Sequence, residues 1–158
     1  MTWQVPVEIT PSPVHGTGVF TQKPVSRGDV VWRFDRSMHV CTEQELRGYD
    51  KATLEVALLG GYLHEPTQKF IWYSDGMQFV NHAEGSLANI ATPEWRPLDE
   101  DCVVATRDIA PGEELFEDYG FWNIFNLPVN HWLRLMYLRS CPQHYHFMQD
   151  IAETRIAA

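Results

Sequence analysis

The sequence predicts a mainly β fold of several short sheets, with one inserted helix and a helical tail at the C-terminus. Short runs rich in β-branched and aromatic residues recur along the chain, and turns containing glycine or proline separate them. Helical signals occur in only two regions, residues 43–59 and 126–155. The length of 158 residues and the lack of repeats suit one domain built around a single core.

The first third of the chain is predicted to form strands and turns. Residues 5–9 alternate weakly between apolar and polar side chains, and residues 19–21 and 30–34 are rich in strand-forming types. A glycine-containing turn at residues 26–29 separates the last two runs. We therefore expect these two strands to pair as a hairpin.

A capping box marks the start of the inserted helix. Thr42 is followed three residues later by Glu45, a spacing that lets each side chain bond the other's backbone N–H. The helix is expected to run over residues 43–59 and to end at the glycine pair 60–61, with Gly48 weakening its middle.

The rest of the chain alternates between strands and turns before a helical tail. An apolar run at residues 79–80 leads into Asn81, and Asn126 is expected to cap a helix in the tail. Other strands are expected at residues 62–64, 69–73, 89–91, 101–106 and 114–119, and a last helix at 143–155. The tail helix after Asn126 has Pro128 in its first turn and one apolar face made of Val129, Trp132, Leu133, Met136 and Tyr137.

Composition restricts the partners and the compartment. The formal net charge of −9 is a poor match for a nucleic-acid backbone and a good match for a basic protein or peptide, although it would also serve solubility alone. The three cysteines are odd in number and widely spaced, which favours a reducing, intracellular location, cytoplasmic or, in a eukaryote, nuclear. No apolar run is long enough to span a membrane, and the N-terminus lacks the pattern of a signal peptide.

A metal site is not expected. No cysteine pair has the spacing typical of structural zinc. Cys141, His144 and His146 lie close together in sequence, but their spacing is too tight for most tetrahedral sites and no fourth ligand is evident.

Three short motifs follow one another along the chain, and their order and separation form a pattern. The first is Gly16-Thr17-Gly18-Val19-Phe20, the second is Phe79-Val80-Asn81-His82 followed by Asn89, and the third is Gly112-Glu113-Glu114-Leu115-Phe116-Glu117-Asp118-Tyr119-Gly120. Together they resemble the signature motifs of the SET domain family of protein-lysine methyltransferases, over roughly residues 5–122. The resemblance implies a SET domain of β-clip type at residues 1–125, with a C-terminal pseudoknot, and a zinc-free helical tail at 126–158 that packs on it.

The resemblance also implies a function: methyl transfer from S-adenosylmethionine to a lysine of a basic protein, whether histone-like, ribosomal or otherwise lysine-rich. It assigns catalysis to Tyr119 and the substrate channel to Phe34 and Phe121. The positions that match the family's cofactor site are Gly16, Thr17, Gly18, Phe20, Asn81, His82 and Tyr119.

The residue types suit this chemistry. Glycines let a backbone approach a ligand closely, and a carboxamide such as that of Asn81 both donates and accepts hydrogen bonds. Free lysine has a pKa near 10.4, so forming the neutral amine at pH 7 costs about 4.6 kcal/mol. An apolar channel lowers that cost by desolvation, and a tyrosine hydroxyl can orient the amine.

The second motif departs from the family pattern. Gln78 replaces an arginine, Ala83-Glu84 replaces Ser-Cys, and Ala88 replaces a proline. The segment between His82 and Asn89 is also two residues longer than the usual pattern. These departures leave a second hypothesis open, a SET-like module that binds peptide or cofactor without turnover.

Overall fold

The computed structural model describes residues 1–157, which form two compact units, each assembled from two separate stretches of the chain. The first unit comprises Met1–Met38 and Ser74–Asp118. The second unit comprises His39–Tyr73 and the described part of Tyr119–Ala158. The division predicted from the sequence, 1–125 and 126–158, remains a prediction, and its last residue, Ala158, lies outside the described residues.

Residues 1–157 contain ten strands and four α-helices. The strands are β1 (Val7–Pro11), β2 (Thr17–Thr21), β3 (Val30–Arg33), β4 (His39–Cys41), β5 (Gly61–His64), β6 (Lys69–Trp72), β7 (Asn81–His82), β8 (Ile90–Ala91), β9 (Cys102–Ala105) and β10 (Phe116–Glu117). The helices are α1 (Glu43–Arg47), α2 (Lys51–Leu59), α3 (Trp132–Ser140) and α4 (Pro142–Ala157). None of the helices within residues 1–157 has both the length and the apolar character that crossing a membrane requires.

A five-stranded sheet with the order β3-β9-β8-β10-β7 organises the first unit. β10 lies between β8 and β7 and runs parallel to both, with Phe116 opposite Asn81 and Glu117 opposite His82 and Ile90. The other neighbours in the sheet are antiparallel. Because β10 comes 25 residues or more after these partners, its pairing joins segments that no local turn connects.

The hairpin β1-β2 is tied to the same segment. Its antiparallel register runs from Val7 opposite Thr21 to Pro11 opposite Thr17. Beyond the hairpin, the N–H of Leu115 donates to the carbonyl of Val19 at 2.7 Å. The residues just before β10 therefore pair with β2, while β10 itself pairs with β7 and β8.

The side chain of Asn89 holds this segment in place. Asn89 is fully buried, its Nδ2 donates to the carbonyl of Glu114 at 2.7 Å, and its Oδ1 accepts from the N–H of Phe116 at 2.8 Å. The backbone N–H of Asn89 donates to the carbonyl of Phe116 at 3.0 Å. Buried backbone groups need such partners, so one carboxamide completes the hydrogen bonding on both sides of Leu115.

The second unit combines a small sheet with all four α-helices. Its sheet has the order β4-β6-β5 and is antiparallel throughout. Leu46, Leu58, Phe70, Leu133 and Met148 belong to one buried cluster, to which each long segment of the unit contributes. The apolar faces of α1, α2, α3 and α4 thus share a core with β6.

The structure confirms many of the expected elements and corrects one helix. The capping box of Thr42 and Glu45 is present, and β5, β6, β8, β9 and α4 lie within two residues of the predicted bounds. The inserted helix is two helices instead of one. Gly48 ends α1, and Asp50 caps α2 by accepting from the N–H of Thr53 at 3.0 Å.

The predicted hairpin between residues 19–21 and 30–34 is wrong. β2 pairs with β1, and β3 pairs with β9. The glycine turn between β2 and β3 is present, with Gly28 at a φ of 90°, but it does not bring those strands into register. A turn signal fixes the local chain reversal and leaves the choice of partner to the sheet.

Four further expectations need correction. Phe79 lies in a short 3₁₀ turn instead of a strand, and the strand expected to reach Tyr119 ends at Glu117. Asn126 does not cap α3, because its side chain donates to the carbonyls of Gly120 and Phe121. His131 is the cap instead, and Val129 is 76% exposed, outside the buried face.

We expect Asn89→Ala to destabilise the protein by about 2–4 kcal/mol, because two buried backbone groups lose their partners. Urea denaturation followed by tryptophan fluorescence measures the change. Ser86→Ala, in the exposed loop before Asn89, is the control and should change the free energy of unfolding by less than about 0.5 kcal/mol. Equal stability of the two variants would contradict the role given to Asn89.

Candidate functional site

Asn81 brings parts of all three sequence motifs together within the first unit. The residue lies on β7, and its Nδ2 donates to the carbonyls of His15 and Thr17, both at 3.1 Å. The same nitrogen lies 2.8 Å from Oε1 of Glu114. Because all three neighbours are acceptors, only the NH₂ end of the amide can face them, and Oδ1 must point away.

A serine connects the same carboxylate to the loop before β2. Ser12 Oγ lies 2.9 Å from Oε2 of Glu114 and accepts from the N–H groups of Val14 and His15 at 3.0 and 3.3 Å. Since the oxygen already accepts twice, its own proton is free to go to Glu114. Glu114 is only 6% exposed, so the loop at residues 12–17 is built around a buried carboxylate.

The two glycines of the first motif have different reasons to be glycine. Gly16 has a φ of 50°, and no heavy atom of the described chain lies within 4 Å of where its Cβ would be. Its requirement is conformational. Gly18 has no positive φ, but a Cβ there would lie 2.2 Å from Oε1 of Glu114. Gly18 is therefore required because the carboxylate of Glu114 occupies the space that a side chain would need.

The neighbouring Glu113 has a different environment. Its carboxylate pairs with the Arg107 guanidinium at 2.6 Å near the surface. The hydrogen bond from Arg107 is the main cause that lowers the pKa of Glu113, and bonds from Ala110 N–H and Asn89 add to it. Glu113 thus has a half-exposed carboxylate that forms an ion pair with Arg107, whereas Glu114 has a buried carboxylate with neutral partners.

His82 and the β2 residues complete this side of the site. The Nδ1 of His82 lies 3.3 Å from the carbonyl of Glu117, and its Nε2 lies 4.0 Å from Oε1 of Glu84. Thr17 and Phe20 are both half-buried, and Phe20 forms a β-bridge with Glu114. The His82 ring therefore contacts the β10 backbone, which fits a structural role for its side chain.

The expected channel residues fall in different units. Phe34 is buried in the first unit, where its N–H donates to the carbonyl of Asp101 at 2.9 Å. Tyr119 and Phe121 are half-buried in the second unit. Their assignment to a common channel remains a prediction.

Tyr119 has an aromatic environment of its own. Its ring lies 4.6 Å from that of Trp122 and 6.3 Å from that of Phe147 on α4, the latter in an edge-to-face arrangement. Arg155, also on α4, packs so closely on Gly120 that a Cβ there would overlap its guanidinium. The helical tail thus contacts Tyr119 and the residue that follows it.

The structure thus brings the loop that contains Gly16 and Thr17 to Asn81, and brings Asn81 and Gly18 to one carboxylate. The sequence analysis missed that carboxylate, Glu114, and its partner Ser12. The sequence did contain one signal for Glu114. Successive side chains of a strand point to opposite faces, so with the apolar Leu115 facing the core, the adjacent glutamate lies on the other face. Among residues 1–157, no three His, Cys, Asp or Glu side chains group closely enough to hold a metal ion.

The two glycines should respond differently to alanine. Gly18→Ala must displace the Glu114 carboxylate, so we expect a loss of about 2–3 kcal/mol in stability. Gly16→Ala costs only backbone strain, about 1 kcal/mol. Thermal unfolding of both variants measures the difference. A smaller loss for Gly18→Ala than for Gly16→Ala would contradict the packing described above.

Comparison with known proteins finds a family and several structures. A family model described as SET domain matches residues 16–120. The Neurospora SET domain protein DIM-5, a histone lysine methyltransferase, is 20% identical with a TM-score of 0.56, covering 75% of this chain and 53% of that one. A chain of ctPRC2, the Chaetomium thermophilum Polycomb Repressive Complex 2, solved bound to S-adenosylmethionine, is 23% identical with a TM-score of 0.55.

The shares covered differ widely between the similar structures. The ctPRC2 match covers 75% of this chain but only 15% of that one. A Plasmodium falciparum protein is 15% identical with a TM-score of 0.54, covering 74% of this chain and 95% of that one. No curated protein sequence matches the chain. These structures share the fold, and because the family model spans more than half of the sequence, the chain belongs to the SET domain family.

Proposed function

We propose that this protein is an S-adenosylmethionine-dependent protein-lysine N-methyltransferase. One observation carries the proposal: the Asn81 amide binds both the glycine loop and the Glu114 carboxylate, so the three family motifs meet in one place. The SET domain match covers all three motifs. The ctPRC2 chain, which is similar in fold, was solved in a complex bound to S-adenosylmethionine, which supports the choice of cofactor.

The residues of the first unit fit this cofactor. Oδ1 of Asn81 accepts no hydrogen bond from residues 1–157, so it is available to a donor such as the cofactor's ammonium group. Gly16 is exposed and presents its backbone without a side chain. We assign Gly16, Thr17, Gly18, Phe20, Asn81 and His82 to binding the cofactor.

When bound, S-adenosylmethionine supplies a methyl group activated by a sulfonium. The protein's own contribution is to present a neutral lysine amine in line with that methyl group. We assign the Tyr119 hydroxyl to orienting the amine, and Phe34 and Phe121 to an apolar channel that disfavours the charged ammonium. The rings of Trp122 and Phe147 restrict the rotation of the Tyr119 side chain.

We propose a basic protein or peptide as the substrate. The 21 acidic side chains exceed the 12 Lys and Arg by 9, which favours encounter with a lysine-rich segment. Charge alone does not separate histone-like from ribosomal or other basic substrates. Labelled methyl transfer to a lysate, followed by mapping of the modified lysine, would identify the protein and the residue.

The alternative is a SET-like module that binds cofactor or peptide without turnover. The observation that favours it is the lengthened segment after His82, where Gly85 has a φ of 55° and Leu87 is 69% exposed. An exposed leucine five residues after His82 fits a binding surface. Both hypotheses predict that the protein binds a ligand, but only the methyltransferase hypothesis predicts methyl transfer.

Tyr119→Phe should lower the rate of methyl transfer by about 100-fold, since one orienting hydroxyl is lost from the reacting centre. The affinity for S-adenosylmethionine should stay within about twofold. Methyl transfer is measured with labelled cofactor and a lysine-rich protein, and affinity by isothermal titration calorimetry. Tyr145→Phe, which removes the same atom from another half-buried ring of the second unit, is the control and should keep full activity.

Three results would count against the proposal. If the wild-type chain binds no S-adenosylmethionine at millimolar concentration, the cofactor assignment is wrong. If it binds but Tyr119→Phe retains full activity, the role given to Tyr119 is wrong. Binding without any transfer to a lysate would support the module hypothesis.

A further inference from the structure

We propose that the buried carboxylate of Glu114 makes the cofactor site select the positively charged sulfonium of S-adenosylmethionine over the neutral thioether of the product, S-adenosylhomocysteine. The proposal rests on the proposed function, because it concerns the same site. It makes Glu114 a specificity-determining residue that acts through charge.

The first observation is that Glu114 is buried without a compensating cation. The residue is 6% exposed, and its carboxylate oxygens accept from Ser12 Oγ at 2.9 Å and Asn81 Nδ2 at 2.8 Å, both neutral groups. No Lys, Arg or His of residues 1–38 and 74–118 comes within 4.0 Å of these oxygens. Burying an unpaired charge is costly, so the site gains when a cation arrives.

The second observation is that both partners of Glu114 donate to its carboxylate. The Asn81 amide presents its NH₂ group to Oε1, and the Ser12 hydroxyl has only its proton left for Oε2. Both contacts suit a carboxylate, which offers only acceptors.

The third observation is the position of this charge. Oε1 of Glu114 bonds Asn81 and occupies the space that a Gly18 Cβ would fill. Both of these residues belong to the proposed cofactor site. An anion in direct contact with two cofactor residues lies close enough to act on a bound cation, and low solvent exposure reduces screening.

The consequence is a difference between cofactor and product. Both carry the same ammonium and carboxylate groups, and only the cofactor carries the sulfonium charge. Any attraction of Glu114 for the ammonium cancels in the ratio of the two affinities. The effect of Glu114 on this ratio therefore reports its attraction for the sulfonium charge alone.

Isothermal titration calorimetry of both ligands against the full chain tests this inference. Glu114→Gln keeps the shape and removes the charge, and the preference for S-adenosylmethionine over S-adenosylhomocysteine should fall at least about fivefold. Glu113→Gln is the matched control. It removes the adjacent, Arg107-paired charge and should leave the ratio within about twofold.

An unchanged ratio in Glu114→Gln would overturn the inference while leaving the proposed function intact. Failure of the wild-type chain to bind either ligand would contradict the proposed function itself. If Glu114→Gln does not fold, the affinities of the wild-type chain for three ligands test the inference instead. S-adenosylmethionine and an analogue with a protonated amine in place of the sulfonium should both bind more tightly than the thioether, and equal binding of all three would contradict the inference.

Discussion

The first unit depends on the carboxamide of Asn89, which bonds the backbone on both sides of Leu115. This contact sets the position of the segment that precedes β10, and that segment in turn pairs with β2 through Leu115. With Leu115 directed into the core, its neighbour Glu114 is directed to the loop before β2 and to Asn81. One buried amide thus determines where the carboxylate of the proposed site lies.

Local features of the fold were predictable from the sequence, and nonlocal pairings were not. The Thr42–Glu45 capping box depends only on neighbouring residues, and it is present as expected. The pairing of β10 with β7 and β8 could not be read from local patterns, because no turn connects these strands. The hairpin expected across Gly28 failed for the same reason, since the best partners of β2 and β3 lie elsewhere in the chain.

In the candidate site, too, only part of the arrangement was predictable from the sequence. Gly16, Gly18 and Asn81 were recognisable from the motifs, and the structure places them together. Glu114 was hidden because a glutamate beside another glutamate is usually a solvated charge. Its burial becomes visible only when β2, β7 and the segment before β10 are assembled around it.

Burial also refines the argument from net charge. Asp101, Glu114 and Glu117 are buried, so only the other 18 of the 21 acidic side chains can contribute to the surface. These still outnumber the 12 Lys and Arg, so the other acidic side chains suffice for the expected attraction to a basic substrate. The buried charge of Glu114 has a separate role, since it acts on the cofactor instead of the substrate.

Hydrogen–deuterium exchange with and without S-adenosylmethionine tests whether the loop around Ser12 and β7 bind the cofactor. If the loop around Ser12 and the start of β7 form the cofactor site, exchange should slow at the amides of residues 12–18 and 81–82 when the ligand is added. Protection confined to α3 and α4, with no change in those two segments, would contradict the account.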